Sequence, residues 1–140
     1  MPTKDKNSVS YFLGIDYGRS NVGLALADSE TRMAFAHETL KNDKDLLQKI
    51  AELVEQKNVK QIIIGIPSYV FNKEAELEIK DFGELVEKTI KIEVFYQNEM
   101  FTTKTAHNNL IEKGVKGIKK FDDQESARII LAEWLENHQK

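Results

Sequence analysis

Three carboxylates stand where strands end or helices begin: Asp16, Glu99 and Asp123. Asp16 lies near the end of Ser10 to Tyr17 (SYFLGIDY), an apolar run of strand length. A carboxylate among apolar neighbours is costly unless it is paired or binds a metal. Taken alone, Asp16 reads more plainly as a turn residue capping the Tyr17-Gly18 corner. Glu99 directly follows a strand pattern in which Ile92, Val94 and Tyr96 alternate. Sheets with parallel strands gather their active sites at the carboxyl ends of those strands. As an isolated residue, Glu99 is equally a first-turn glutamate favoured by the helix dipole. Asp123 opens the last helix, where aspartate is also a common N-cap, with Asp122 and Glu125 beside it.

Together the three carry more weight, because each sits at an element end and a fold could bring them to one place. Three carboxylates without soft ligands suit hard, oxygen-preferring cations such as Mg²⁺ or Mn²⁺. Two such ions can clamp a phosphodiester, one activating water and one stabilising the leaving oxygen. The chain has no cysteine, and no Ser/His pair stands out. His37, His107 and His138 fall on polar stretches read as exposed surface. The candidate phosphate-gripping groups are Arg19, in the turn after Asp16, and the cluster Lys113, Lys116, Lys119 and Lys120, with Lys104 nearby in sequence. The expected chemistry is phosphodiester hydrolysis by metal-activated water.

The elements that must position these groups follow from periodicity. Ser10–Tyr17 and Val22 to Ala27 (VGLALA), joined by Gly18-Arg19-Ser20-Asn21, read as a β-hairpin. Met33, Phe35 and their neighbours suggest a third strand. Leu46, Ile50, Leu53 and Val54 fall at helical spacing. Gln61 to Ile66 (QIIIGI) is a buried strand stopped by Pro67. Ala75, Ile79, Phe82 and Val86 mark a second helix, and a strand through Tyr96 follows. Thr102 or Thr103 is a candidate N-cap for a helix ending at Gly114, and residues 113–120 form a candidate loop. The last helix starts near Asp123 with Ala127, Ile130, Leu131 and Trp134 facing inward. The order β-β-β-α-β-α-β-α-α predicts an α/β fold. Its mixed five-stranded sheet has three antiparallel strands, then parallel ones, flanked by helices.

Composition sets the frame. The chain has 140 residues, 41% of them hydrophobic and 31% charged, enough for one domain with a real core. Residues 1–9 are expected to form a disordered arm and 10–138 a single domain. The polar start and the absence of cysteine and of long apolar runs point to a cytoplasmic protein without membrane association. A formal net charge of −3 argues against a simple electrostatic nucleic-acid binder. Carboxylates held around a metal, however, lower net charge without repelling a phosphate. A monomer or weak homodimer is expected.

Four blocks, in order, resemble the YqgF/RuvX family of Holliday-junction resolvases and pre-16S rRNA nucleases. Gly14-Ile15-Asp16-Tyr17-Gly18 continues to Val22-Gly23-Leu24-Ala25-Leu26-Ala27-Asp28, where the family has a strand Asp, Gly, a turn and Gly-x-Ala-x-Ser-Asp. Ile62-Ile63-Ile64-Gly65-Ile66-Pro67 is similar to a strand ending in Gly-Leu-Pro. Asn98-Glu99-Met100-Phe101-Thr102-Thr103 stands where the family has Asp-Glu-Arg-Leu-Thr-Thr. Asp123 through Ser126-Ala127, Ile130-Leu131 and Trp134-Leu135 resembles the Asp-x-x-Ala-Ala helix, a spacing that selects Asp123 over Asp122.

The resemblance covers about Leu13 to Leu135. It implies a ribonuclease-H-like fold with Asp16, Glu99 and Asp123 as catalytic, metal-binding residues. It also implies structured nucleic acid as substrate: the 5′ end of pre-16S rRNA first, branched DNA second. The chain departs from the pattern at Asn21 and at Asn98 and Met100, where the family carries arginine or Asp-Glu-Arg. It departs again at Ser68-Tyr69-Val70-Phe71-Asn72, which lacks glycine. Fewer arginines mean fewer bidentate phosphate grips.

Two other readings follow from the same residues. The Asp16–Gly23 hairpin is similar to the first phosphate-binding hairpin of actin- and Hsp70-like ATPases. Those close a cleft between two lobes, and this chain supplies one. The second is a catalytically weak or inactive nucleic-acid- or protein-binding module on the nuclease fold, favoured by the missing arginines and opposed by the three carboxylates.

Overall fold

The structure, a computed structural model, describes residues 9–66, 73–98 and 123–139. These build five strands and three helices: β1 (Tyr11–Tyr17), β2 (Asn21–Asp28), β3 (Ala34–Lys41), α1 (Leu46–Gln56), β4 (Val59–Ile66), α2 (Lys73–Ile90), β5 (Glu93–Asn98) and α3 (Asp123–Asn137). The expected helix from Thr102 or Thr103 and the loop 113–120 lie outside the described residues.

The strands form one sheet in the order β3-β2-β1-β4-β5. β1 pairs antiparallel with β2, and β2 antiparallel with β3. β1 pairs parallel with β4, and β4 parallel with β5. This is the mixed sheet expected from the element order. The carboxyl ends of β1, β4 and β5 therefore lie along one edge, where Asp16, Ile66 and Asn98 stand.

Period-2 alternation sorts the sheet into two faces. On one, Leu13, Ile15, Val22, Leu24, Leu26, Ile62 and Ile64 pack against the inner faces of α1 and α2, including Ile50, Phe82 and Val86. On the other, Phe12, Ala25, Ala27 and Ile63 pack against Ala127, Ile130, Leu131, Trp134 and Leu135 of α3. β4 contributes to both, which is why its sequence is a continuous apolar run rather than an alternating one. Burial of this kind stabilises by about 25 cal/mol per Å² of apolar surface.

The α3 face is lined by small residues so that the helix can approach closely. A Cβ added to Gly14 would sit 2.7 Å from Leu131 Cβ and 2.9 Å from the Ala127 carbonyl oxygen. The chain leaves α1 through Asn58, whose φ of 53° is left-handed, a conformation asparagine tolerates better than most residues.

Two details differ from the sequence expectation. Met33 lies outside β3 and is 71% exposed, and Phe35 within it is 46% exposed. β3 is one of the two edge strands, and α1 and α2 make their sheet contacts chiefly with β4 and β5. Apolar residue type therefore did not imply burial there. No described helix is long and apolar enough to cross a membrane.

Candidate active site

Asp16 is the next-to-last residue of β1, and its cross-strand partner on β2 is Gly23. Directly paired residues of an antiparallel pair point to the same face, so Asp16 and Gly23 share the face that α3 covers. A Cβ on Gly23 would collide with the carbonyl carbon and oxygen of Asp123 and approach Gln124 N within 2.7 Å. The first residue of α3 thus rests its backbone on the bare glycine opposite Asp16. Thr39 Oγ1 of β3 donates to Gln124 Oε1 at 3.1 Å, tying the same helix start to the sheet.

This seating brings two acidic side chains together. Asp16 is partly buried, and its carboxyl is pushed up from 3.8 to about 6. Burial is the largest cause and the negative charge of Asp123 the next, while a hydrogen bond from the Ser126 hydroxyl pulls in the opposite direction. Loss of water penalises the charged form, and a like charge penalises it again. Ser126 is the one polar residue buried in the described core, one helical turn beyond Asp123. In the sequence it stands out only as part of a helix pattern. The signal that could have found it is its i, i+3 spacing from Asp123, which puts both on one helix face.

The other expected site residues divide into two groups. Glu99 and Lys113, Lys116, Lys119 and Lys120 lie outside the described residues, as do Lys104, His107, Met100 and Asp122. Arg19 is described: it sits in the β1–β2 turn, which the Gly18 N–H closes onto Asn21 O at 3.0 Å and Asn42 Nδ2 braces at Gly18 O. Its guanidinium extends toward α2, with Nη2 3.1 Å from Glu78 Oε2 and 3.7 Å from Glu74 Oε1. Glu125, the acidic neighbour of Asp123, accepts from Arg128 Nε at 2.9 Å. His138 is exposed, stacked on Trp134, with Nδ1 2.8 Å from Trp134 O.

Two carboxylates, one of which raises the other's cost of ionisation, are a donor set that a divalent cation fits, because its charge reverses that local penalty. Oxygen donors suit Mg²⁺ or Mn²⁺. Among the described residues no cluster of three or more metal-ligating side chains forms. Asp16 and Asp123 are thus the described part of the candidate set.

A mixed sheet of this order, with an acidic pair at the carboxyl end of its first strand and the start of its last helix, is the ribonuclease-H-like architecture. Solved structures agree on the fold. T. thermophilus RuvC in complex with a Holliday junction substrate superposes with a TM-score of 0.60 at 13% identity, over 91% of this chain and 94% of that one. The fowlpox virus Holliday junction resolvase superposes with a TM-score of 0.57 at 12% identity, over 91% and 98%.

Residues 10–137 match the RuvX family model, described as Holliday junction resolvase. A relative from Acetivibrio thermocellus is 37% identical over 137 residues, 91% of this chain and 96% of that protein. One from Bacteroides fragilis is 34% identical over 135 residues, 91% and 97%. Both carry the name "Putative pre-16S rRNA nuclease". The chain belongs to the RuvX family and is a nuclease, as its sequence blocks implied.

Proposed function

We propose that this chain is a metal-dependent endonuclease that hydrolyses phosphodiesters in structured nucleic acid, with the 5′ end of pre-16S rRNA as its main substrate. The observation that carries the site is the seating of Asp123 on Gly23, opposite Asp16, which gathers two carboxylates at the carboxyl edge of the sheet. Relatives named for pre-16S rRNA support the RNA substrate. The RuvC complex supports branched DNA as a second substrate class.

In this reading Asp16, Glu99 and Asp123 hold Mg²⁺ or Mn²⁺. When bound, such a cation supplies Lewis acidity and lowers the pKa of a coordinated water. Asp16 contributes a carboxylate whose ionised form is costly without a cation, so the site favours one. Asp123 presents its carboxylate from the first turn of a helix whose apolar face is locked to the sheet. Lys113, Lys116, Lys119 and Lys120 attract the phosphate backbone as point charges, and Arg19 adds a guanidinium in the turn that follows Asp16. The catalytic domain spans 10–138, and the absence of cysteine suits a cytoplasmic setting.

The engagement of Arg19 by Glu78 and Glu74 favours, as a second reading, a module that binds RNA and cleaves it poorly. One experiment separates the two. Wild type and Asp16→Asn are assayed on a precursor-rRNA end and a four-way DNA junction with Mg²⁺, Mn²⁺ or EDTA. Metal-dependent cleavage that disappears in Asp16→Asn supports the nuclease. RNA binding by a well-folded wild type that cuts neither substrate under any metal supports the binding module.

A further inference from the structure

The β1–β2 turn holds Arg19 at the carboxyl edge of the sheet, and its guanidinium is already engaged. Nε lies 3.4 Å from Glu78 Oε1 and Nη2 lies 3.1 Å from Glu78 Oε2, two donations to one carboxylate. Nη2 is also 3.7 Å from Glu74 Oε1. Glu74 and Glu78 stand four residues apart on α2, so they share the helix face that meets the turn. A guanidinium fork grips a phosphate with the same pair of N–H groups, so a carboxylate seated in it stands where a phosphate would.

The pair does little for the fold. α2 is held to the sheet by Ile79, Phe82 and Val86, all buried. Tyr17, just before the turn, stacks on Phe82 with ring centroids 4.3 Å apart. The side chains of Arg19 and Glu78 are 73% and 42% exposed, and an ion pair in water shifts an equilibrium by about fivefold at most. The turn around Gly18 is fixed by its own hydrogen bonds, so the base of Arg19 stays in place whichever anion its head holds. Open to solvent and weakly held, that head can exchange one anion for another.

We infer that Glu78, supported by Glu74, is an autoinhibitory latch on Arg19: its carboxylate fills the guanidinium fork in the nucleic-acid-free protein, and a backbone phosphate must displace it. This rests on the reading of Arg19 as a phosphate contact. The latch lowers affinity for every polyanion by the strength of the ion pair, and so favours substrates that bring several phosphates to the protein at once.

The test is fluorescence anisotropy of a labelled precursor-rRNA end in EDTA, with thermal unfolding of each protein alongside. The proteins are wild type, Arg19→Ala, Glu78→Gln, the double variant Arg19→Ala/Glu78→Gln, and Glu87→Gln, which removes an exposed charge elsewhere on α2. Glu78→Gln should bind about two- to fivefold more tightly than wild type, and more tightly than Glu87→Gln. The double variant should bind no more tightly than Arg19→Ala, because the gain needs the guanidinium that the latch covers. If Glu78→Gln gains no more than Glu87→Gln, or gains equally in the absence of Arg19, the latch is wrong, while a loss of affinity in Arg19→Ala keeps Arg19 as a phosphate contact. If Arg19→Ala and Glu78→Gln both bind like wild type, Arg19 is no phosphate contact and the latch falls with it.

Discussion

Asp16→Asn should make the metal-free protein more stable while making it inactive. The Asp16 carboxyl is pushed from 3.8 to about 6 by burial and by Asp123. At about 1.4 kcal/mol per tenfold change in acid constant, keeping Asp16 ionised in the fold costs about 3 kcal/mol. Asparagine removes the charge and keeps an oxygen able to accept from Ser126. Part of the gain is offset by burying the amide, so the expected stabilisation is about 1–3 kcal/mol at pH 8.

The sign with pH follows from linkage. A carboxyl whose folded pKa exceeds its unfolded one binds its proton more tightly in the native state. Its contribution to stability therefore falls as pH rises from about 4 to about 6, and the penalty is complete above that. The gap between variant and wild type should be near zero at pH 4 and maximal above about pH 6.5.

The assay is thermal or urea unfolding of both proteins in EDTA from pH 4 to 8. For a chain of this size the variant should melt roughly 4–10 °C higher at pH 8. Added Mg²⁺ should close the gap by raising the wild type only, because ligand binding to the native state stabilises it by mass action. A variant no more stable than wild type at pH 8, or a gap that stays flat between pH 4 and 7, would refute the account of a strained carboxylate pair.

Three further outcomes follow from the same geometry. Gly23→Ala places a Cβ against the Asp123 backbone, so α3 must lift from the sheet; we expect a loss of about 1–3 kcal/mol in urea unfolding together with loss of cleavage. Leu131→Ala opens a cavity beneath α3, where Leu131 is fully buried, and should cost roughly 2–5 kcal/mol by the same measurement. Arg19→Ala removes an exposed ion pair with Glu78, so the melting temperature should stay unchanged. Its RNA affinity should fall and its log–log salt dependence become shallower by about one phosphate contact; an unchanged salt slope would remove Arg19 from the interface.

Much of this protein is legible in residue order because it depends on local periodicity. The alternation through Leu13 and Ile15, the apolar run Ile62–Ile64 and the helical spacing of Ile130, Leu131 and Trp134 each report which side of an element meets the core. From these come the β-β-β-α-β-α-β order, the mixed sheet and the choice of Asp16 and Asp123 as residues worth watching. Residue type also made a hard cation the expectation for any metal at these carboxylates, since they offer oxygen donors and the chain has no thiolate.

Other features exist only between distant segments. No local pattern tells that Gly23 is the seat of the last helix, because that follows from the β1–β2 register and from where α3 lands. Nor does it tell that Arg19 reaches α2 or that Phe35 stays exposed at the sheet edge. The raised carboxyl of Asp16 belongs to the same class. Its causes are lost water, the charge of Asp123 and the hydroxyl of Ser126, and two of the three come from a helix more than a hundred residues away along the chain. Charge and burial act through space, so the sequence names the groups, and tertiary packing alone decides which of them share a dielectric environment.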